Sequence, residues 1–145
     1  MESTQGRKAI IVDLDGTLAT IGERGPYDGA LCEDDAVNPV VRDIAIAWRT
    51  MNSPDGDILL VSGRQEMHRP QTERWLNLNN IPYAALLMRE TGDPRRDAIV
   101  KRELFERHIR GTWTIDFVLD DRTQVVKMWR RDLNLICLQV ADGDF

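Results

Sequence analysis

The chain has 145 residues, of which 42% are hydrophobic and 30% are charged, and its formal net charge is −5. This composition predicts one globular domain over residues 1–145, with a polar N-terminal tail over residues 1–7. The negative charge argues against a protein that coats nucleic acid, although an enzyme that contacts one strand end is compatible with it. No apolar run has the length of a membrane span and no signal-peptide core is visible, so we expect a cytoplasmic protein with free thiols.

The predicted elements alternate between strands and helices. The apolar run from Lys8 to Leu14 predicts a buried strand, and the polar stretch from Gly16 to Asp35 predicts irregular structure. Asn38 followed by Pro39 is a helix-start signal and predicts a helix to about Met51. The later predicted elements are a strand over 58–61, a helix from about 70, a strand over 84–88, a helix from the Asp93-Pro94 cap to about 109, a strand over 115–119, a helix over 123–131 and a strand over 135–140.

Strands separated by helices predict an α/β fold, with a Rossmann-like parallel sheet of five strands and helices on both faces. Ligands bind at the carboxyl ends of the strands in such sheets. Three polar segments lie at the ends of predicted strands, so we expect them on one rim: Asp13 to Asp15, Ser62 to Arg64, and Asp120 to Arg122.

Each motif alone also has a simpler interpretation. Asp13-Leu14-Asp15-Gly16-Thr17 is a turn sequence as well as a pair of carboxylates suited to magnesium. Ser62-Gly63-Arg64 suits either a surface turn or a phosphate contact. The adjacent carboxylates Asp120 and Asp121 suit a cation, and Asp121 also suits a helix N-cap.

Asp97 and Lys101 lie four residues apart on a predicted helix and therefore share a face. In isolation this spacing favours an exposed ion pair. If this helix end meets the rim, Lys101 would instead neutralise a nucleophile and phosphoryl oxygens.

Taken together and in this order, the motifs resemble those of the haloacid dehalogenase superfamily of phosphotransferases. The resemblance implies that Asp13 attacks phosphorus and forms an aspartyl-phosphate, and that Asp15 acts as general acid and then as base. It also implies that Ser62 and Lys101 hold the phosphoryl oxygens. The implied Mg²⁺ ligands are Asp13, the main-chain carbonyl of Asp15, and Asp120, with Asp121 and Thr17 nearby.

Six segments extend this resemblance: Asp13 to Ala19, Arg24-Gly25-Pro26-Tyr27-Asp28, Val61 to Arg64, Asp120 to Val126, Met128 to Arg131 and Gly143-Asp144-Phe145. Together they resemble the 3′-phosphatase domain of phage-type bifunctional polynucleotide kinase/phosphatase. This resemblance implies that Arg24, Arg64 and Asp97 are also catalytic, and that the substrate is a DNA or RNA strand ending in a 3′-phosphate inside a phage-infected or bacterial cytoplasm.

The kinase half of that family carries a phosphate-binding loop, and no Gly-x-x-x-x-Gly-Lys-Ser/Thr run occurs in this chain. We therefore expect a kinase domain or a kinase protein in trans, and by analogy a homodimer. The chain is either a free-standing phosphatase or an excised domain.

The segments between the motifs are too short for a large cap domain, so we expect a rim open to a strand end. Candidate strand contacts are Tyr27, Arg122, Arg95 and Arg96, the last two in the first turn of a helix, where the dipole disfavours cations. Two other functions are open. One is a small-molecule phosphatase such as a nucleotidase, and the other is a non-catalytic domain that binds strand ends or assembles a larger enzyme.

Overall fold

The computed structural model describes residues 7–20 and 29–145. In chain order, the strands are β1 (Lys8–Val12), β2 (Ala19–Thr20), β3 (Ala36–Val37), β4 (Gly56–Gln65), β5 (Ala85–Arg89), β6 (Thr114–Asp120) and β7 (Cys137–Gln139). The helices are α1 (Pro39–Met51), α2 (Arg69–Leu78), α3 (Asp97–His108) and α4 (Thr123–Lys127). Two 3-10 helices, Gly29–Asp34 and Glu66–His68, and a π-helical turn, Met128–Asp132, complete the described elements.

Five parallel strands form the central sheet in the order β5-β4-β1-β6-β7. Successive residues of β1 point to opposite faces of the sheet. Ile10 and Val12 belong to the core beneath α1 and α2, whereas Ala9 and Ile11 belong to the core beneath α3 and α4. The predicted five-stranded sheet with helices on both faces is therefore confirmed.

The carboxyl ends of β1 and β6 form a crevice. These strands are neighbours, and the chain leaves β1 towards α1 on one face and β6 towards α4 on the other. Such a switch in direction opens a binding crevice at the strand ends. Asp13 follows β1 and Asp120 ends β6, and the main-chain N–H of Asp13 donates to the carbonyl of Leu119 at 3.0 Å.

The start of α1 agrees with its sequence signal. Asn38 is the N-cap, and its side-chain oxygen accepts hydrogen bonds from the N–H groups of Val40 and Val41 at 3.2 and 3.4 Å. The expectation of irregular structure from Gly16 to Asp35 is wrong for part of that segment. β2 pairs with β3 in a small antiparallel sheet, and a 3-10 helix precedes β3.

The predicted start of α3 at Asp93-Pro94 is wrong, because α3 begins at Asp97. Asp93 accepts a hydrogen bond from the N–H of Arg95 at 3.0 Å, and Arg89 donates to the carbonyls of Asp93 and Arg95. These carbonyls are thus occupied by a guanidinium, and Arg96 is extended with ψ 148°. Arg95 and Arg96 consequently precede the helix, and the expectation that they lie in its first turn is wrong.

The last predicted helix begins at Thr123 as expected, but it is α-helical only to Lys127 and then changes to the π-helical turn. Asp121 is not its N-cap, since Arg122 holds that position and no side chain caps the helix. Within the described parts of the chain, no helix has the length and apolar character needed to cross a membrane.

Candidate active site

Asp13 lies at the centre of a buried cluster of charged side chains, and only 5% of its surface is exposed. Its Oδ1 accepts a hydrogen bond from the Lys101 ammonium at 2.7 Å, and its Oδ2 accepts one from the Thr17 hydroxyl at 3.0 Å. Lys101 also donates to Asp120 Oδ2 at 3.0 Å and is 2% exposed. The interpretation of Asp97 and Lys101 as an exposed ion pair is therefore wrong, because Lys101 points into the site.

Asp120 is held by donors from three directions. Its Oδ1 accepts hydrogen bonds from the N–H groups of Asp121 and Arg122 at 2.9 and 3.3 Å. Its Oδ2 accepts a bond from the indole N–H of Trp129 at 3.1 Å, in addition to Lys101. Buried acceptors with this many donors have a fixed orientation.

Asp121 approaches Asp13 because Gly16 leaves space for it. Gly16 has φ +83°, and a Cβ at this position would lie 2.1 Å from Oδ2 of Asp121. The Thr17 hydroxyl is within reach of both carboxylates, 3.0 Å from Asp13 and 3.3 Å from Asp121, and donates to one of them at a time. Carboxylate oxygens of Asp13, Asp120 and Asp121 all lie within 4.8 Å of one another.

Burial and mutual repulsion dominate the electrostatics of this cluster. Burial and the charge of Asp120 raise the pKa of Asp13 well above its usual value, although Lys101 acts in the opposite direction. Burial likewise raises the pKa of Asp121. Burial alone would lower the pKa of Lys101, but the negative charges of Asp120, Asp13 and Asp97 outweigh it and raise that pKa. The ammonium is therefore charged at neutral pH.

Asp15 turns away from this cluster towards Arg64. Oδ1 of Asp15 is 2.8 Å from Nη2 of Arg64 and its Oδ2 is 3.0 Å from Nε, so the pair is bidentate. Arg64 is buried and also donates to Asp35 at 3.2 Å and to Thr72 at 3.2 Å. About a quarter of the Asp15 side chain is exposed, so its carboxylate sits at the mouth of the site with a fixed orientation.

Asp97, the first residue of α3, contacts β4, β5 and the loop after β6 at the same rim. Its carboxylate receives hydrogen bonds from Arg89 and, at 2.7 Å, from Arg122. It also packs on Gly63, where a Cβ would lie 2.5 Å from its Oδ1. Although burial raises its pKa, the positive charges of Lys101, Arg122 and Arg89 together lower it, so Asp97 is ionised at neutral pH.

Residues 7–145 match a family model described as the polynucleotide kinase PNKP phosphatase domain. The chain belongs to this family. A protein of Autographa californica nuclear polyhedrosis virus, named as a bifunctional polynucleotide kinase/RNA ligase, is 32% identical over 126 residues, which are 85% of this chain and 18% of that protein.

Two solved structures of a Pnkp1/Rnl/Hen1 complex contain chains similar to this member of the PNKP family. Their identities are 42% and 44%, with TM-scores of 0.90 and 0.89 over 99% and 96% of this chain. The matched regions are 49% and 44% of those chains, so this chain spans less than half of each relative. A third solved structure is the haloacid dehalogenase domain of the effector Lem4 from Legionella pneumophila. It is 11% identical, has a TM-score of 0.59, and the match covers 99% of this chain and 91% of the Lem4 chain, so the two share a fold.

The structure brings most of the predicted site residues of this PNKP-family domain together at one rim. Ser62 is buried beside the site, and its hydroxyl oxygen accepts a hydrogen bond from the N–H of Arg64 at 3.0 Å. Arg24 and Tyr27 lie outside the described residues. Arg95 faces Asp93 and Glu103 on the exposed side of α3 rather than the cluster. The residues that meet at the rim are Asp13, Asp15, Thr17, Ser62, Arg64, Asp97, Lys101, Asp120, Asp121 and Arg122.

Three contributors were not predicted from the sequence. Asp35 belongs to the acidic run Glu33-Asp34-Asp35, which resembles a solvated segment, yet its carboxylate is buried against Arg64. Trp129 lies in the segment Met128 to Arg131 that carries the family resemblance, but nothing in the sequence indicates the hydrogen bond from its indole N–H to Asp120. Phe145 packs its ring 4.8 Å from the guanidinium of Arg122, a contact between residues 23 positions apart.

The oxygen ligands present fit a hard divalent cation. Among the described residues, the three carboxyl groups of Asp13, Asp120 and Asp121 face one ammonium, that of Lys101, so acidic groups outnumber basic groups in this cluster. Carboxylate oxygens at such spacing are the ligand type that Mg²⁺ prefers. A cation here would also counter the repulsion that raises the pKa of Asp13.

Proposed function

We propose that this chain removes the 3′-terminal phosphate from a polynucleotide strand and leaves a 3′-hydroxyl. The observation that carries the proposal is the buried Asp13, oriented by Lys101 and Thr17 within a group of three carboxylates at the crevice between β1 and β6. Membership of the PNKP phosphatase family supports the same chemistry.

In the proposed reaction, a carboxylate oxygen of Asp13 attacks phosphorus and the bond from phosphorus to the 3′-oxygen breaks. Asp15 donates a proton to that oxygen, and it then takes a proton from the water that hydrolyses the aspartyl-phosphate to inorganic phosphate. Arg64 fixes Asp15 through the bidentate contact. Ser62 and Lys101 would hold the phosphoryl oxygens, where positioning and charge neutralisation supply most of the rate enhancement.

Mg²⁺ is part of the proposal as the cofactor. Asp13, Asp120 and the main-chain carbonyl of Asp15 would hold it, with Asp121 next to them. When bound, the cation would neutralise charge on the transferring phosphoryl group. Arg24 and Asp97 stay in the proposed site as supporting residues, Asp97 through its contacts with Arg89 and Arg122.

We further propose that RNA strands under repair are the substrates, within a cytoplasmic assembly that also contains a 5′-kinase and a ligase. The relatives named for RNA ligase and for a Pnkp1/Rnl/Hen1 RNA repair complex support this choice over DNA. The kinase and ligase would reside in another part of the same protein or in separate chains, and a homodimer is compatible with either arrangement.

The test compares four phosphate esters with and without Mg²⁺: a 3′-phosphorylated oligoribonucleotide, its deoxy counterpart, a nucleoside 3′-monophosphate and an aryl phosphate. We expect Mg²⁺-dependent release of phosphate with the highest kcat/KM for the oligoribonucleotide. Asp13→Asn should abolish turnover of every ester, whereas Asp34→Asn, an exposed neighbouring carboxylate, serves as the matched control.

Equal or better turnover of the two small esters would instead assign the chain to the small-molecule phosphatases. Absence of turnover with all four esters would leave a strand-end binding or assembly domain. An Asp13→Asn chain with wild-type turnover would remove Asp13 from the proposed role of nucleophile.

A further inference from the structure

A groove of about 580 Å³ lies between the start of α3, the outer side of α4 and the C-terminal segment. Arg96, Lys127 and Arg131 line it, together with the apolar side chains of Ile99 and Phe145. Ile99 is 50% exposed and Phe145 is 66% exposed. We call this feature the α3–α4 groove.

The three cations of the α3–α4 groove differ from most cations nearby. Among the described residues, none of Arg96, Lys127 and Arg131 has a carboxylate partner within salt-bridge distance. Most neighbouring cations on or next to α3 do have such partners: Arg95 with Asp93, Arg102 with Asp132, Arg107 with Glu103 and Arg110 with Glu106. Three cations without a carboxylate partner among the described residues therefore line the same groove, in a chain whose net charge is −5.

Two acidic residues, Asp132 and Asp144, also line the α3–α4 groove. Asp132 is 3.6 Å from Arg102, a cation that does not line the groove, so part of its charge is already balanced. Cationic side chains therefore outnumber acidic side chains along the groove by three to two, which favours an anionic occupant.

Arg122 joins the α3–α4 groove to the candidate active site. One side of its guanidinium donates to Asp97 at 2.7 Å, and Asp97 packs on Gly63 next to Ser62. The ring of Phe145 stacks 4.8 Å from the same guanidinium, on the groove side. Arg122 and Asp97 thus form a chain of contacts from Phe145, which lines the groove, to Gly63 next to Ser62.

We propose that the α3–α4 groove binds the nucleotides that precede the 3′ end of a single strand, an inference that rests on the proposed function. Arg96, Lys127 and Arg131 would contact backbone phosphates, and the exposed face of Phe145 would stack on a base. Single-strand sites combine backbone cations with aromatic platforms in this way, and the combination tolerates any base sequence.

The test varies strand length and groove charge together. The ratio of kcat/KM for a 3′-phosphorylated decanucleotide to that for a nucleoside 3′-monophosphate is measured for the unaltered chain and for Lys127→Ala/Arg131→Ala. We expect this ratio to fall roughly tenfold in the double variant at 0.15 M salt, because each phosphate contact contributes about 0.7 to the salt slope for single strands. The slope of log kcat/KM against log salt for the decanucleotide is negative and should become less negative by about 1.4.

Lys8→Ala/Arg49→Ala is the matched control, since it removes two exposed cations that also lack a carboxylate partner among the described residues and that lie outside the groove. For this control, the ratio of kcat/KM between the decanucleotide and the nucleoside 3′-monophosphate (the length ratio) should equal that of the unaltered chain. Phe145→Ala should lower the length ratio without changing the salt slope, because stacking is not ionic.

Direct binding separates failure of the groove from failure of the proposed function. Fluorescence anisotropy with a 3′-hydroxyl decanucleotide needs no turnover, and we expect Lys127→Ala/Arg131→Ala to weaken this binding roughly tenfold. If the groove variant and the control bind equally well, the groove is not a strand site, and an acidic protein partner would then be the better occupant. If no ester is hydrolysed, but Lys127→Ala/Arg131→Ala loses binding and the control variant does not, the proposed phosphatase function is wrong while the α3–α4 groove remains a strand-binding site.

Discussion

At the level of single residues, Lys101 sets the charge balance of the candidate site. It is the buried ammonium within hydrogen-bond distance of both Asp13 and Asp120, at 2.7 and 3.0 Å. Removing one member of a buried ionic group leaves the others without compensation, and the penalty is much larger than for an exposed pair. Lys101 should therefore matter for folding as well as for reaction.

We expect Lys101→Met to lower the free energy of unfolding by about 3 kcal/mol in the absence of divalent cations. Uptake of a proton by Asp13 should limit the loss, because the pKa of Asp13 is already raised. Urea unfolding at neutral pH measures the change. Arg102→Met is the control on the same helix, since Arg102 is half exposed and its 3.6 Å contact with Asp132 should be worth less than about 1 kcal/mol. Equal destabilisation by the two changes would show that the Lys101 ion pairs do not stabilise the fold.

At the level of elements, the C-terminal segment holds the loop that follows β6. The N–H of Thr123 donates to the carbonyl of Gly143 at 2.8 Å, and Gln139 donates to the carbonyl of Asp121 at 3.0 Å. The main-chain oxygen of Phe145 accepts a hydrogen bond from Arg122 at 2.9 Å. These contacts hold the loop from Asp121 to Thr123, which carries the Asp121 side chain of the cluster.

Gly143→Ala should separate this segment from the loop, because the added Cβ would lie 2.1 Å from the carbonyl oxygen of Asp121. We expect the free energy of unfolding to fall by about 1–3 kcal/mol and phosphate release to fall on the order of 100-fold, since small displacements of reacting groups cost that much. Urea unfolding and initial rates measure both effects. Asp142→Ala, at an exposed neighbouring position, should change neither. Wild-type turnover in Gly143→Ala would show that the segment does not position Asp121.

The elements that the sequence predicted well are those with local signals. The apolar run of β1 and the Asn38-Pro39 start of α1 are encoded within a few residues, and both appear as expected. The start of α3 differs because Arg89, four positions before Asp93, occupies carbonyls that a helix would otherwise use. These hydrogen bonds from Arg89 depend on the conformation of its side chain, which the Asp93-Pro94 signal does not indicate.

The same distinction applies to the site. Motif order placed Asp13 and Asp120 on one rim, since residues that follow parallel strands converge there. The inward direction of Lys101 and the burial of Asp35 depend on tertiary packing instead, because a four-residue spacing or an acidic run fits a solvated surface equally well. The contact between Arg122 and Phe145 likewise forms only after the sheet brings the ends of β6 and β7 together.

At the level of the whole molecule, the fold concentrates acidic groups at the crevice between the carboxyl ends of β1 and β6. Three carboxylates lie within 4.8 Å of one another and one ammonium faces them, so the folded state carries a repulsion that the unfolded chain lacks. Any cation that binds this cluster in the folded state alone must stabilise folding. The proposed cofactor therefore has a thermodynamic consequence that does not depend on turnover.

We expect Mg²⁺ to raise the free energy of unfolding of the whole chain, by about 2.7 kcal/mol when free Mg²⁺ is one hundred times its Kd. Urea unfolding over a Mg²⁺ series, with NaCl at matched ionic strength as the reference, measures this effect. Asp121→Asn should reduce the stabilisation at any given Mg²⁺ concentration, because it removes one carboxylate from the cluster. Asp55→Asn, in the exposed turn between α1 and β4, should retain it in full. If Mg²⁺ stabilises the chain no more than NaCl does, or stabilises Asp121→Asn as much as the unaltered chain, then the three carboxylates do not form the cation site.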